Sequence, residues 1–424
     1  MRQFLYLSPY FPPQTQVGAL RPLKFVRHLP ALGWQPVVLC DLWPGAAQDA
    51  SLLDLVPAEV IVKRDWSARA AHATKPGGNP SGPPKPAQPP WHERLLPAWL
   101  QNPELLPLGE HSVDMPHALR AARRLLRKHP ACEAIVVNAD PFAAALVGAQ
   151  LKRETGLPLV LDFRDPWAPC RLRRPRRPRA IRWLEDRLER FAVERADHVI
   201  LNTRNTLDDY LAHYRDLGPG RFSYLRNHYD PALVATGSHQ GFDRYTLLHL
   251  GRFTRFRQAG VLMQVLAELA RRGVEPADLQ LVLTGEPGKA ARAEAERLGV
   301  QDFLVRHPHV PYREIGAVMQ AADLLVLLAE AAATQRIASK LYDYLGATRP
   351  LLAITDNPEV REMLQASGAG HMRLHDDIAG IADTIQAEMA RGRQREAPRQ
   401  PIGVTSPEAS VRLAEVLASV TATR

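Results

Sequence analysis

The sequence predicts an α/β protein built from two doubly wound parallel-sheet domains that face each other across a cleft. Three observations carry that expectation. Short apolar runs alternate with amphipathic, helix-period segments almost throughout, the pattern of parallel sheets covered on both faces. The chain has 424 residues, more than one hydrophobic core normally spans. The stretch Ala235-Thr236-Gly237-Ser238-His239-Gln240-Gly241 has two glycines and no periodicity, which places a boundary within Val234 to Asp243.

In the first domain, 1–235, strands are predicted at Phe4 to Leu7, Pro36 to Cys40, Ala134 to Asn138, Leu159 to Asp162 and His198 to Asn202. Gly33 should stop a helix running from Ala19 to Leu32, and Gly156 one from Phe142 to Thr155; Asp114 is placed to cap a helix over Met115 to Lys128. Two insertions interrupt this pattern. The irregular segment 67–110 holds seven prolines between Pro76 and Pro90, and the loop 171–182 holds seven arginines. In the second domain, 244–400, a strand at Tyr245 to Leu250 is followed by others near Leu281, Leu304, Leu325, Leu351 and Met372. Gly273 closes a helix over Val261 to Arg272. A last helix, Pro407 to Ala418, falls in the tail 401–424.

Composition narrows the classes. Apolar content of 46% with 23% charged residues is ordinary globular usage, and a net charge of +9 favours anionic partners. The cysteines, Cys40, Cys132 and Cys170, are scattered and odd in number, so neither a disulfide framework nor a metal knuckle is expected, and a reducing cytoplasm fits best. No apolar stretch reaches the ~20 residues a bilayer requires. Gly285-Glu286-Pro287-Gly288-Lys289 lacks the interval and the hydroxyl residue of a nucleotide phosphate loop, and His307-Pro308-His309 has no third metal ligand at a supporting spacing. Nucleic acid is not expected as a partner, because no strand platform interleaves aromatic and basic residues.

Two elements carry chemistry. Ile337-Ala338-Ser339-Lys340-Leu341-Tyr342-Asp343 puts a cation and a carboxylate at the start of a helix that leads into the strand Leu351 to Ile354. A helix start offers N–H groups and positive dipole to phosphate oxygens, and Asp343 can accept hydrogen bonds from ribose hydroxyls. Earlier, Gly251-Arg252-Phe253-Thr254-Arg255-Phe256-Arg257 follows a strand, so guanidinium groups crowd a strand exit after a tight turn at Gly251. Alone it could be a solvated basic turn. Beside the Lys340 helix it suits a nucleoside diphosphate, held where strands of an open sheet end.

These residues bring the chain to a family. It resembles the family 4 glycosyltransferases, whose GT-B architecture pairs two Rossmann-like domains. The resemblance runs over nearly the whole chain: Leu5-Tyr6-Leu7-Ser8-Pro9-Tyr10-Phe11-Pro12-Pro13 with Val17-Gly18-Ala19-Leu20-Arg21, then Leu161-Asp162-Phe163-Arg164-Asp165-Pro166-Trp167, and Leu225-Arg226-Asn227-His228-Tyr229-Asp230-Pro231. The Gly251 to Arg257 loop, Thr284-Gly285, Val310-Pro311-Tyr312 and the Lys340 helix follow in family order.

The resemblance implies a retaining, metal-independent transfer of a sugar from a nucleoside diphosphate sugar, with a UDP-sugar favoured over a GDP-sugar and no cofactor. Arg252, Arg257 and Lys340 are then the catalytic cations on the donor diphosphate. Gly18, Gly251, Gly285, Val310, Gln335, Ile337 and Asp343 would line the donor, Asp343 on the ribose. Gln335 stands where the family carries a glutamate that contacts the transferred sugar, and His228 stands where it carries glycine. Asn138, Asp140, Arg164 and Asp165, at predicted strand exits, face the acceptor; a capping or turn-forming role is the alternative for each. The acceptor is implied to be a glycan, a lipid-linked group or a small molecule. A non-catalytic nucleotide-binding scaffold, made credible by Gln335, and a nucleotide-sugar epimerase of the same fold are the rival readings. Arginines 171–182 lie between Trp167 and Trp183, and two readings stand for them: docking on an anionic membrane surface, which would make the protein cytoplasmic and peripheral on the inner face, or a solvated basic loop.

Overall fold

The computed structural model describes residues 1–43, 46–68, 108, 112–234, 241–251, 259–285, 287–308, 310–329, 334–393 and 395–422. Arg252, Arg257 and most of the 67–110 insertion lie outside the described residues. The chain divides into two compact units, one of Met1–Asn227 with Ser406–Arg424, the other His228–Thr405.

The first unit holds seven strands: β1 (Arg2–Leu7), β2 (Trp34–Cys40), β3 (Ile61–Arg64), β4 (Cys132–Asn138), β5 (Leu159–Phe163), β6 (His198–Leu201) and β7 (Phe222–Tyr224). Their order is β3-β2-β1-β4-β5-β6-β7, and every pair is parallel; Leu5 lies opposite Val37 on one side and Ile135 on the other. The central strands are buried on both faces, which is why their sequences are continuous apolar runs and not alternating ones. The edge strands β3 and β7 were missed by the sequence reading because Ile-Val-Lys-Arg and Phe-Ser-Tyr are short and half-buried, with no such run. The first helix also differs from expectation. It covers Val17–Val26 and not Ala19 to Leu32, since Pro30 opens a separate 3-10 turn, Pro30–Leu32, that Gly33 ends at φ +84°.

The arginine-rich segment is built into this unit. Arg174–Arg176 forms a 3-10 turn and a long helix, Arg179–Arg195, follows directly. Arg171 pairs with Asp209 at 2.6 Å, Arg174 grips both oxygens of Asp186 at 2.6 and 2.9 Å, and Arg177 pairs with buried Glu185. Arg173 lies 4.8 Å over the Phe142 ring, whose other neighbour is buried Trp167, stacked at 5.2 Å. Four of the seven arginines therefore fasten the segment down. Beneath it Glu189 is fully buried and accepts from the Tyr210 hydroxyl, from the Tyr214 hydroxyl at 3.0 Å and from the Ala168 N–H at 3.1 Å.

The second unit carries β8 (Tyr245–His249), β9 (Leu279–Leu283), β10 (Leu304–Arg306), β11 (Leu324–Leu328), β12 (Leu351–Ile354) and β13 (Gly370–Arg373), ordered β10-β9-β8-β11-β12-β13 and parallel throughout. Numbered within the unit this is 3-2-1-4-5-6, the order of a dinucleotide-binding sheet. The change of unit falls at Asn227 and His228, ahead of the boundary expected at Val234 to Asp243. Residues 228–234 belong to the second unit because the Tyr229 N–H bonds the Val404 carbonyl at 3.0 Å, and the Tyr229 ring occupies the space that a Cβ on Gly346 would need. The last helix, Ser406–Ala422, returns to the first unit, where it packs on Val17–Val26 and Thr421 Oγ1 accepts from Arg2 Nη2 at 2.6 Å. Among the described residues no helix is long and apolar enough to cross a membrane.

Burial pushes the Glu189 carboxyl up to about 7 in spite of its three donors. The folded state thus holds this proton more tightly than the unfolded chain, so the group's stabilisation is complete below the ordinary carboxyl pKa and is lost as pH rises through about 7. Urea titrations at pH 5 and pH 8 should show the Glu189→Gln variant losing less stability across that interval than the parent, by on the order of 3 kcal/mol.

Candidate functional site

The carboxyl edge of the first sheet gathers all the residues expected there. Asn138 ends β4 and is fully buried; its Nδ2 donates to the Gly18 carbonyl at 3.0 Å and to Ser8 Oγ at 3.3 Å, tying the exits of β1 and β4 to the start of the first helix. Arg164, just past β5, pairs with Asp140 at 2.8 Å and Asp165 at 3.1 Å. Burial works against the Arg164 charge, but the two carboxylates outweigh it and raise its pKa, so the guanidinium stays protonated. Gly18 closes the group. A Cβ there would fall 2.9 Å from the Tyr10 ring, 3.1 Å from Asp140 Oδ2 and 3.4 Å from Arg164 Nη1, so only glycine lets the helix start this close to the ion pair.

Behind this edge lies a second ion pair that the sequence reading did not single out. Arg21 binds Asp162 in a fork, Nε to Oδ2 and Nη2 to Oδ1, both at 2.8 Å, with each side chain almost wholly buried. The same guanidinium donates to the carbonyls of Leu225 at 2.9 Å and Arg226 at 3.1 Å, and to Asn227 Oδ1 at 3.2 Å. One side chain therefore holds the first helix, the end of β5 and the 225–227 turn. The only signal in the sequence is an arginine on the inward side of a largely apolar helix, which also buries Lys24.

In the second unit the carboxyl edge is organised around Gly251, at the exit of β8. Gly251 has φ +95°, and its N–H donates to Thr284 Oγ1, at the exit of β9, at 2.8 Å. The Lys340 ammonium packs directly on it: a Cβ at 251 would lie 2.5 Å from Nζ and 3.0 Å from Cε. Tyr344, one turn further along the Lys340–Gly346 helix, accepts the Leu250 N–H on its hydroxyl at 2.8 Å. Asp343 is buried and accepts from the Tyr312 hydroxyl at 3.1 Å. β8 and β11 are the neighbours at which the strand order reverses, so Gly251 stands where open α/β sheets bind ligands.

The helix itself differs from the expected phosphate-binding start. It has seven residues, and the N–H groups of Leu341 and Tyr342 are already spent on the Ala338 and Ser339 carbonyls at 2.9 and 3.2 Å. Among the described residues the Lys340 side chain brings positive charge to this edge. Gln335 is buried in the turn before the helix, where Asn357 Nδ2 holds the flanking carbonyls of Thr334 and Arg336 at 3.3 Å each. Ile337 and Val310 pack into the core of this unit, so whatever they offer a ligand is backbone. Gly285 follows Thr284 at the end of β9. Arg252 and Arg257 lie outside the described residues, although Arg252 is joined to Gly251 by the chain. Thr284, Tyr312 and Asn357 are the supporting polar groups, each acting across 21 or more residues of chain; Thr284 and Tyr312 fall in the motifs Thr284-Gly285 and Val310-Pro311-Tyr312, whereas Asn357 has no signal in the sequence. Among the described residues no three His, Cys, Asp or Glu side chains form a metal-holding group.

Residues 19–228 match the family model of the glycosyl transferase 4-like domain. The chain carries a glycosyl transferase 4-like domain. Both sheets together are those of the GT-B fold, two Rossmann-like domains. This fold is shared with a sucrose-phosphate synthase from Thermosynechococcus elongatus (TM-score 0.62, 14% identity, covering 100% of this chain and 97% of the other) and a glycosyltransferase from Rickettsia africae (0.58, 10%, 99% and 93%). It is also shared with the UDP-GlcNAc 2-epimerase of Methanocaldococcus jannaschii (0.55, 11%, 99% and 100%). No curated protein matches the chain by sequence. The matched glycosyl transferase 4-like segment spans the Arg21–Asp162 pair and the Asp140–Arg164–Asp165 group, and stops where the second unit begins.

Two substitutions test this geometry. Arg21→Met leaves the Asp162 carboxylate buried without its cation, so urea denaturation should show a loss of about 3–5 kcal/mol, part of it recovered by adding Asp162→Asn. Gly251→Ala places a methyl group on the Lys340 ammonium in a backbone region that L residues avoid, so urea denaturation should show a loss of about 1–3 kcal/mol.

Proposed function

We propose that this protein is a retaining, metal-independent glycosyltransferase that uses a nucleoside diphosphate sugar, UDP-linked in preference to GDP-linked, in the assembly of a glycan, glycolipid or glycosylated metabolite. The observation that carries the reading is the Lys340 ammonium seated on Gly251 at the β8 exit, the topological switch point of a 3-2-1-4-5-6 sheet. A matched glycosyl transferase 4-like domain in the same chain supports it. Lys340, with Arg252 and Arg257, would neutralise the diphosphate; Asp343, braced by Tyr312, would take the ribose; Gln335 would meet the transferred sugar; and Asn138, Asp140, Arg164, Asp165 and Gly18 would form the acceptor side.

In the reaction the bond between the anomeric carbon and the β-phosphate oxygen breaks while a bond to the acceptor oxygen forms on the same face. The acceptor proton passes to the departing phosphate. Charge grows on that phosphate in the transition state, so a fixed ammonium beside it lowers the barrier more than it tightens substrate binding. The cations would do the work a metal does elsewhere, and no protein base is required.

Incubation with a panel of UDP- and GDP-sugars in EDTA, followed by proton and phosphorus NMR, should show slow release of free nucleotide without acceptor and product of unchanged anomeric configuration with it. Lys340→Ala should lower kcat by about two orders of magnitude. UDP binding without nucleotide release from any donor would replace the enzyme with a nucleotide-binding scaffold, and inversion at a sugar carbon with the diphosphate intact would replace it with an epimerase.

A further inference from the structure

We infer that the outer face of the helix Arg179–Arg195, with the turn before it, docks on an anionic lipid bilayer surface. Once the fastened arginines of the 171–182 segment are set aside, three remain, Arg176 and Arg179, both exposed, and the partly exposed Arg182; Arg187, one turn further on, is a fourth exposed arginine on the same stretch. None of the four forms an ion pair with any described residue, in contrast to Arg171, Arg174 and Arg177. Trp183 stands among them. It is 60% exposed, whereas the other described tryptophans, Trp34, Trp43, Trp66 and Trp167, are all buried.

The spacing gives these groups a common side. Arg179, Trp183 and Arg187 recur at intervals of four, one above the other on a helix, and the Arg187 guanidinium lies 5.3 Å from the centre of the Trp183 ring. The row continues into Phe191 and Arg195, which are half-buried, so the exposed part is confined to the beginning of the helix. The exposed indole does not cover the core, which the opposite side of the helix reaches through Glu189, Ala192 and Val193.

An exposed indole with the Arg187 guanidinium against it and Arg179 one turn before matches the two requirements of a charged bilayer surface, phosphate partners outside and a shallow apolar layer for the ring. The same charge would attract nucleic acid, but stacking of bases needs a run of open aromatic faces. Here a single ring is available on a convex helix, with one face already taken by Arg187. A bilayer is therefore the occupant that fits. The surface lies wholly within the first unit, and the inference stands apart from the catalytic reading.

The test is sedimentation of the full-length protein with vesicles of phosphatidylglycerol and phosphatidylcholine in equal amounts, and with phosphatidylcholine alone. The parent should pellet only with the anionic vesicles. Changing Arg176, Arg179, Arg182 and Arg187 to Gln should weaken binding about fivefold per residue. A charge-matched control that changes the exposed Arg120, Arg127, Arg153 and Arg215 to Gln should still bind. Vesicle binding should also shift tryptophan emission to the blue, and Trp183→Phe should abolish the shift. Failure of the parent to pellet, equal loss in both quadruple variants, or tighter binding to a DNA oligonucleotide than to anionic vesicles through the same four arginines would overturn the inference.

Discussion

Parallel pairing governs this molecule. A parallel strand cannot turn straight back on its neighbour, so each connection must cross a face of the sheet, and every strand exit of a unit is delivered to one edge. In the first unit that edge collects Ser8, Asn138 and Arg164 from three strands; in the second it collects Gly251 and Thr284 from two. Residues separated by more than a hundred positions meet there because the sheet brings their strand ends together. Their own sequence neighbourhoods do not.

What the edges do with these groups differs. At the first, carboxylates and guanidinium groups are matched inside the protein: Arg21 with Asp162, Arg164 with Asp140 and Asp165. The buried Arg21 fork is an organiser, since a guanidinium in low dielectric must satisfy all its donors, and doing so fixes the helix, the strand end and the turn at once. At the second edge the lysine lies against a glycine, with a tyrosine bracing the neighbouring carboxylate.

Much of this was legible in the chain. The buried strands announced themselves, because residues such as Ile135 to Val137 or Leu324 to Leu328 are covered on both faces and have no alternation to confuse. Gly251, Asp140 and Arg164 could be located from their places after strands, and Lys340 and Asp343 from the helix that leads into the strand Leu351–Ile354. The rest was hidden for identifiable reasons. Edge strands Ile61–Arg64 and Phe222–Tyr224 have mixed composition because one side meets water. The arginine-rich segment read as a loop because composition does not reveal that Asp186, Asp209 and Glu185 wait to receive it. Nor could local pattern show that the Leu341 and Tyr342 N–H groups are used within the preceding turn.

The return of residues 406–422 to the first unit makes that unit discontinuous in the chain, whereas the second is a single uninterrupted stretch. During synthesis the second unit has all its residues while the first still lacks a helix. The earlier-made portion must therefore leave one side of its first helix uncovered until residues 406–422 have been made. Trimming the final segment would injure the opposite end of the sequence, and a gene fragment ending at 227 would yield a body missing one wall.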